Sequence, residues 1–406
     1  MRINRDNSQS AYRRRSRFGG CLPTLMVISI MLGTGFLARD WIREWTLRWL
    51  QTAPEDVTLR DAQLAFAYGD IERTIQYAQQ LREEEPNNQD VLVMLVRALI
   101  YRSYSDINNE VDRSRALQLT QQAFDQFPLD NTVTGIHTFA LQANGESDEA
   151  VRLALRAILR DENSITARLA LSLSYGSRGI FDAALRESER AVQIANESAL
   201  DWRADAYRVL AIAHSDLGDY QEAAQAIDQA IDYNRRLLPL HFERALYALQ
   251  VGDNDTATAY YFNVIAFDDD NVKARFRLCE LSSTLREGNA AIEYCSFVTD
   301  NAPGWSDGWY QLGREHFLQG HFAAARDALG RCTTLQVAQG IPIEERRFEC
   351  WYIQGQAAEV LGDCDTLLPL YADFQQMVTE ADIVQTWTYP PEGPSICTDP
   401  IPEPQG

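Results

Sequence analysis

Five histidines, His137, His214, His241, His316 and His321, are the chain's candidates for general acid–base work or metal ligation. His316 and His321 are five residues apart, a spacing that puts two ligands on different sides of a helix. No HExxH, GxSxG or Cys-x2-Cys occurs. Lys273 is the one lysine, against 36 arginines. A GxxxxGK[ST] phosphate loop therefore cannot be written, and a Schiff base has a single candidate. Asp268-Asp269-Asp270 lacks the alternating ligands and fixed glycine of a calcium loop. The expectation from these residues is no enzyme, no cofactor and no metal site.

The elements that carry these residues begin with a charge asymmetry. The chain has 406 residues and a net charge of -21, but residues 1–50 hold nine Arg against Asp6, Asp40 and Glu44. That segment is therefore +6 and the remainder about -27. So acidic a body repels phosphate backbones, which argues against a nucleic-acid partner.

Residues 1–17 read as a basic cytoplasmic segment, followed by an uncharged apolar stretch at 18–38. Its 21 residues are long enough to span a bilayer, so a single-pass signal-anchor is expected there. The Arg cluster before it predicts a cytoplasmic N-terminus and an extracytoplasmic body. Arg39, Arg43 and Arg48 weaken that contrast, and a cytoplasm-facing body is the alternative. Within 39–54, Trp41, Trp45 and Trp49 share one helical face. They suit either a lipid interface, which would make the bilayer a partner, or a rigid continuation of the span onto the body.

From Pro54 onward one phrase recurs: an apolar stretch, a turn glycine, then Ala-rich helix. The turn glycines are Gly69, Gly145, Gly179, Gly218, Gly252, Gly288, Gly320 and Gly362, spaced near 34 or twice 38. A period of that size with two helices per unit means a solenoid. Trp309, Leu312, Gly313 and His316 then match W-x2-L-G-x2-Y, with Gly320, Ala325, Leu329 and Cys332 following. Tyr207, Leu210, Ala211, Gly218, Ala223, Ile227 and Ala230 repeat the pattern. Over residues 55–378 the chain resembles the tetratricopeptide repeat family. The resemblance implies an all-α fold, a right-handed superhelical solenoid of about nine helix pairs, with a Pro-rich tail at 379–406. Loop excursions are expected after residue 102 and at 192–203 and 333–347, where the second helix of a unit runs on. The tail reads either as disordered or as strapped along the last helices. His214 and His316 stand where the family carries an aromatic core residue, which favours packing over catalysis.

In that family the first helix of each pair, helix A, lines a concave face that receives a peptide or helix. Mapping its positions gives Leu169, Leu173, Arg208, Ile212, Phe242, Leu246, Arg275, Leu278, Tyr310, Arg314, Phe317 and Tyr352. The alternative for each of these residues is a place in the superhelix core. The implied function is an anchored scaffold or adaptor that holds a protein or peptide, with a structural subunit of an envelope-associated assembly or membrane complex as the alternative. Six cysteines, Cys279, Cys295, Cys332, Cys350, Cys364 and Cys397, crowd the C-terminal third. In an exported domain they suggest disulfides, though Cys332 also replaces a small core residue. With the repeat's helix phase, one pairing is Cys279 with Cys295, Cys332 with Cys350, and Cys364 with Cys397, one connectivity of 15.

Small residues let paired helices approach, so bulk at Ala223 or Ala325 overpacks. Ala223→Leu and Ala325→Leu are each expected to cost about 1–3 kcal/mol in urea denaturation. No loss at either site would remove the helix-pair assignment.

Overall fold

The fold is seen in a computed structural model that describes residues 57–381 and 383–398. The described residues form eighteen long helices and no strand. In order these are α1 Leu59–Ala67, α2 Ile71–Glu84, α3 Gln89–Ser105, α4 Val111–Gln126, α5 Asn131–Ala143 and α6 Ser147–Arg160. Next come α7 Ile165–Ser177, α8 Phe181–Glu197, α9 Arg203–Leu217, α10 Tyr220–Tyr233, α11 Leu238–Gln250 and α12 Asn254–Phe267. The last are α13 Val272–Thr284, α14 Gly288–Asn301, α15 Ser306–Leu318, α16 Phe322–Ala338, α17 Glu349–Leu361 and α18 Cys364–Ala381. Odd and even helices pair as hairpins, nine in all, and each hairpin packs on the next.

The repeat positions owe their residue types to this packing. A methyl group on Gly313 would lie 2.5 Å from Leu329 Cγ, so α15 and α16 meet where a side chain is missing. Ala223, Ala230 and Ala325 are fully buried at equivalent helix contacts. Seven of the eight turn glycines have φ between 68° and 86° and end helix A in the left-handed conformation. The eighth turn departs from the sequence reading. There Arg286 takes the left-handed position (φ 62°), and Gly288 is instead the first residue of α14. The longer second helices expected near 192–203 and 333–347 are α8 and α16, each 17 residues against 14 for α10. The loop after α3 is a single 3-10 turn, Ile107–Asn109.

Beyond nearest neighbours, α1 and α3 fold back onto the junctions that precede α9, α11 and α13. Arg97 of α3 carries its guanidinium into a site where it is 2% exposed. It donates to both carboxylate oxygens of Asp205 and, from Nη2, to Asp201 O at 2.7 Å. The rings of Phe66 and Trp202 cover its two faces at 4.1 and 4.3 Å. Asn234 Nδ2 donates to Phe66 O at 2.7 Å. Asn271 caps α13 through Oδ1 and, through Nδ2, holds Ser105 O at 3.0 Å. Asp106 accepts from the backbone N–H groups of Val272 and Lys273, a second cap for α13 supplied from the end of α3.

The cysteines pair as Cys279–Cys295, Cys332–Cys350 and Cys364–Cys397, with Cα–Cα separations of 5.4, 6.1 and 5.6 Å. The last pair ties down the described part of the tail, which is strapped along α17 and α18. Trp387 is 8% exposed within rings of Tyr352, Tyr371, Phe374 and Tyr389. Gly355 leaves room for that indole, since a Cβ there would meet Trp387 at 2.1 Å.

The single-pass membrane localisation needs correction. Among the described residues no helix is long and apolar enough to cross a membrane. The longest, α18 with 18 residues, carries Asp365, Asp373 and Glu380, whereas a span takes about 20 apolar residues. The expected span at 18–38, the segment 1–17 and Trp41, Trp45 and Trp49 lie outside the described residues.

Removing one partner of a buried ion pair strands the other charge. Arg97→Met is therefore expected to cost about 3–5 kcal/mol in urea denaturation, and to expose α1–α3 amides to hydrogen exchange. Arg97→Met with Asp205→Leu should recover much of that loss. A single-variant cost below about 1 kcal/mol would show that the pair does not hold the fold together.

Candidate functional site

The fold-back turns the concave side of the array into a well. Helices α3, α5, α7, α9, α11 and α13 all contribute to one cavity of about 420 Å³. Its wall joins apolar groups from four different helices, Phe139, Leu173, Ile212 and Phe242, to the charged Arg208, Asp216, Glu243 and Lys273. A second cavity, about 570 Å³, lies between α11 and α13 and takes in Leu246, Leu249, Arg277 and Glu280. Phe242, Glu243 and Lys273 line both.

The charges at this shared edge are unequal in their partners. Arg208 donates to Glu243 Oε1 from Nε at 2.8 Å and from Nη2 at 2.6 Å, while its guanidinium faces the Tyr101 and Tyr104 rings of α3. Lys273 Nζ donates to Tyr104 O at 2.6 Å and sits 4.5 Å from the Phe242 ring centroid. Burial, aided by the Arg277 charge, pushes this amine down to about 8. Asp216, at the rim of the first cavity, is raised above the usual carboxylate range by burial.

The residues mapped from the sequence spread over several environments. Arg208 and Phe242 line the well, and Leu246 stands 46% exposed in the neighbouring cavity. Leu169 and Leu278 are core residues. Arg275 stacks on Phe297 at 3.9 Å and donates to Asp269 O, so α13 presents Lys273, Arg277 and Glu280 to the cavities. Tyr310 lies under the Arg347 guanidinium at 4.6 Å, and Arg314 donates to Ser283 Oγ and to Glu315. Phe317 meets Phe322 edge-on, and Tyr352 packs against Phe374 and Trp387 beneath the tail. Sequence reasoning passed over Glu243, Asp216 and Tyr104. For Lys273 a signal existed in its being the one lysine, but it served only to exclude lysine chemistry.

His137 and His241 are buried in the array, whereas His321 is exposed. His137 Nδ1 is 3.0 Å from Thr120 Oγ1, and His241 Nε2 is 2.7 Å from Arg235 O. Burial holds both below the ordinary imidazole range.

The lowered amine makes a pH prediction. Between about 8 and 10.5 the unfolded chain binds the proton that folded Lys273 releases, so stability rises with pH across that window. Urea denaturation of wild type and Lys273→Met at pH 7.5 and 9.5 isolates the effect. The wild-type minus variant difference should move in favour of wild type at the higher pH; a constant difference would rule it out.

Comparison with known proteins agrees with this architecture. Residues 204–236, spanning α9 and α10, match the tetratricopeptide repeat family. No curated protein matches the chain. Among solved structures, the hetero-tetramer Cut9–Hcn1 of the APC/C is similar at a TM-score of 0.51 and 15% identity, over 76% of this chain. The match spans only 56% of that structure's chain. The C-terminal part of a TPR repeat-containing protein from Cytophaga hutchinsonii is similar at a TM-score of 0.50 and 14% identity, over 61% of this chain and 96% of that one. Identities this low speak for the fold alone: the described residues form an all-α, tetratricopeptide-like helical solenoid.

Proposed function

We propose that this chain is a protein–protein interaction scaffold that holds a peptide segment against the A-helix face of its solenoid. The cavity between α11 and α13 carries the reading: it is about 570 Å³ and joins an apolar floor to a charged rim. Leu246 is nearly half exposed there. Arg277 and Glu280 bond to each other at the rim, a pair that can part and re-pair with a ligand of either charge. Peptide grooves combine such features, with apolar anchors giving affinity and rim charges giving register. Arg208, Arg275, Tyr310, Arg314, Phe317 and Tyr352 are then support for the groove wall, because each is already engaged within the chain.

Selection of a displayed random peptide library on the immobilised full chain tests the reading. Enriched peptides are expected to lose at least about tenfold in affinity against Leu246→Glu, and to change charge preference against Arg277→Glu. Peptides that bind both variants as well as wild type would place recognition elsewhere. Failure of any peptide to enrich would remove the groove reading.

A further inference from the structure

In an open solenoid the concave face is a trough whose ends are free. Here Asn271, Lys273 and the α13 amides bind Ser105, Tyr104 and Asp106 at the end of α3, so the first and last of the six A helices that line the well are joined. The half-open well of about 420 Å³ falls in the size range of small-molecule sites, roughly 300 to 1,000 Å³. Its wall of Phe139, Leu173, Ile212 and Phe242 offers an apolar body a place to lie.

The well's lining holds two cations, Arg208 and Lys273, and two carboxylates, Glu243 and Asp216, yet none of these carboxylates bonds to Lys273. Two carboxylates act on Lys273 through their fields, Glu243 and Asp106. Glu243 accepts both Arg208 hydrogen bonds through Oε1, while its buried Oε2 has no hydrogen-bond partner. Asp106 is committed to the backbone N–H groups of Ile107, Val272 and Lys273. Among the described residues no carboxylate forms an ion pair with Lys273 Nζ, whose one hydrogen bond goes to a neutral carbonyl. An ammonium has three donors, and a half-buried cation with no carboxylate in hydrogen-bond contact is costly to the fold. The low amine pKa is the expression of that cost, and an anion placed beside Nζ would relieve it.

We infer that the well binds a small organic carboxylate, with its acid group on Lys273 and its alkyl body against Phe139, Leu173 and Ile212. This site shares Phe242, Glu243 and Lys273 with the peptide groove and is told apart from it by Leu246 and Arg277, which line the groove but not the well. Arg208 does not compete for the role, since Glu243 already neutralises it. A long extended peptide suits the well poorly, because the α3–α13 junction closes the path along the helices.

Isothermal titration calorimetry on the full chain with decanoate, decan-1-ol and acetate tests the proposal. Decanoate is expected to bind one to one, while decan-1-ol and acetate bind at least about tenfold more weakly, each lacking half of the recognition. Lys273→Met should lower decanoate affinity at least about tenfold, and Lys273→Arg should retain it within a few fold. The wild-type chain supplies a readout that needs no variant. Because Lys273 is the one lysine, reductive methylation with 13C-formaldehyde labels it and the chain's α-amine alone. Saturable movement of the Lys273 dimethylamine signal with decanoate is the expected NMR result. Equal binding of decan-1-ol and decanoate, undiminished binding to Lys273→Met, or a static Lys273 signal would each overturn the proposal. Loss of decanoate binding with library peptides still captured would reject this site and leave the groove reading intact.

Discussion

Arg97 brings a positive charge into the interior of α3, a helix otherwise made of Val, Leu, Met, Ile and Tyr over most of its length. A guanidinium there is tolerable only where a carboxylate and aromatic faces converge on it. Asp205, Asp201 O, Phe66 and Trp202 meet that demand: Phe66 comes from α1 in the preceding hairpin, and the other three from a segment more than 100 residues further along the chain. The register of α3 against α9 follows from this one cluster. Once α3 is set, its C-terminal end falls beside the start of α13, where Asn271 donates to Ser105 O and Asp106 accepts from the Val272 and Lys273 N–H groups. The well exists because those two contacts close it.

The chain's two halves hold themselves together by different means. Solenoid repeats normally touch only their neighbours, so their stability is a sum of local terms. From α1 to α13 the fold-back adds contacts between residues more than 100 positions apart. Beyond α13 no comparable long-range tie is present among the described hydrogen bonds, and there the three disulfides occur. They link α13 to α14, α16 to α17, and α18 to the tail, one covalent tie per successive layer. The last layer would otherwise leave the apolar faces of α17 and α18 open, and Trp387 fills that place. A terminal cap is a general need of repeat arrays, met here by an irregular strap.

The legible parts of the fold were those that depend on local spacing. Turn glycines and paired small residues report helix hairpins because backbone conformation and interhelical distance act over a few residues. The same locality produced an error at Gly288, where an arginine two residues earlier adopts the left-handed turn. Periodicity alone treats every glycine near the expected place as equivalent. On α13 the mapping placed Arg275 toward the groove, whereas Phe297 on α14 draws it away and Lys273 and Arg277 face inward. Adjacent positions on a helix point about 100° apart, so a small error in phase exchanges a core contact for a groove contact.

The sequence by itself determined the helix pairs, their number, the small residues at their contacts and which cysteines could meet, since each of these is written within one or two neighbouring repeats. Only the tertiary structure decided that the concave face becomes a well. Arg97 and Asp205 are 108 residues apart, as Asn271 and Ser105 are 166, and no pattern with a period near 34 encodes which of them will touch. That choice rests on the accumulated twist of the intervening repeats, a quantity summed over many small packing angles and settled only when the ends find partners for their buried charges and amides.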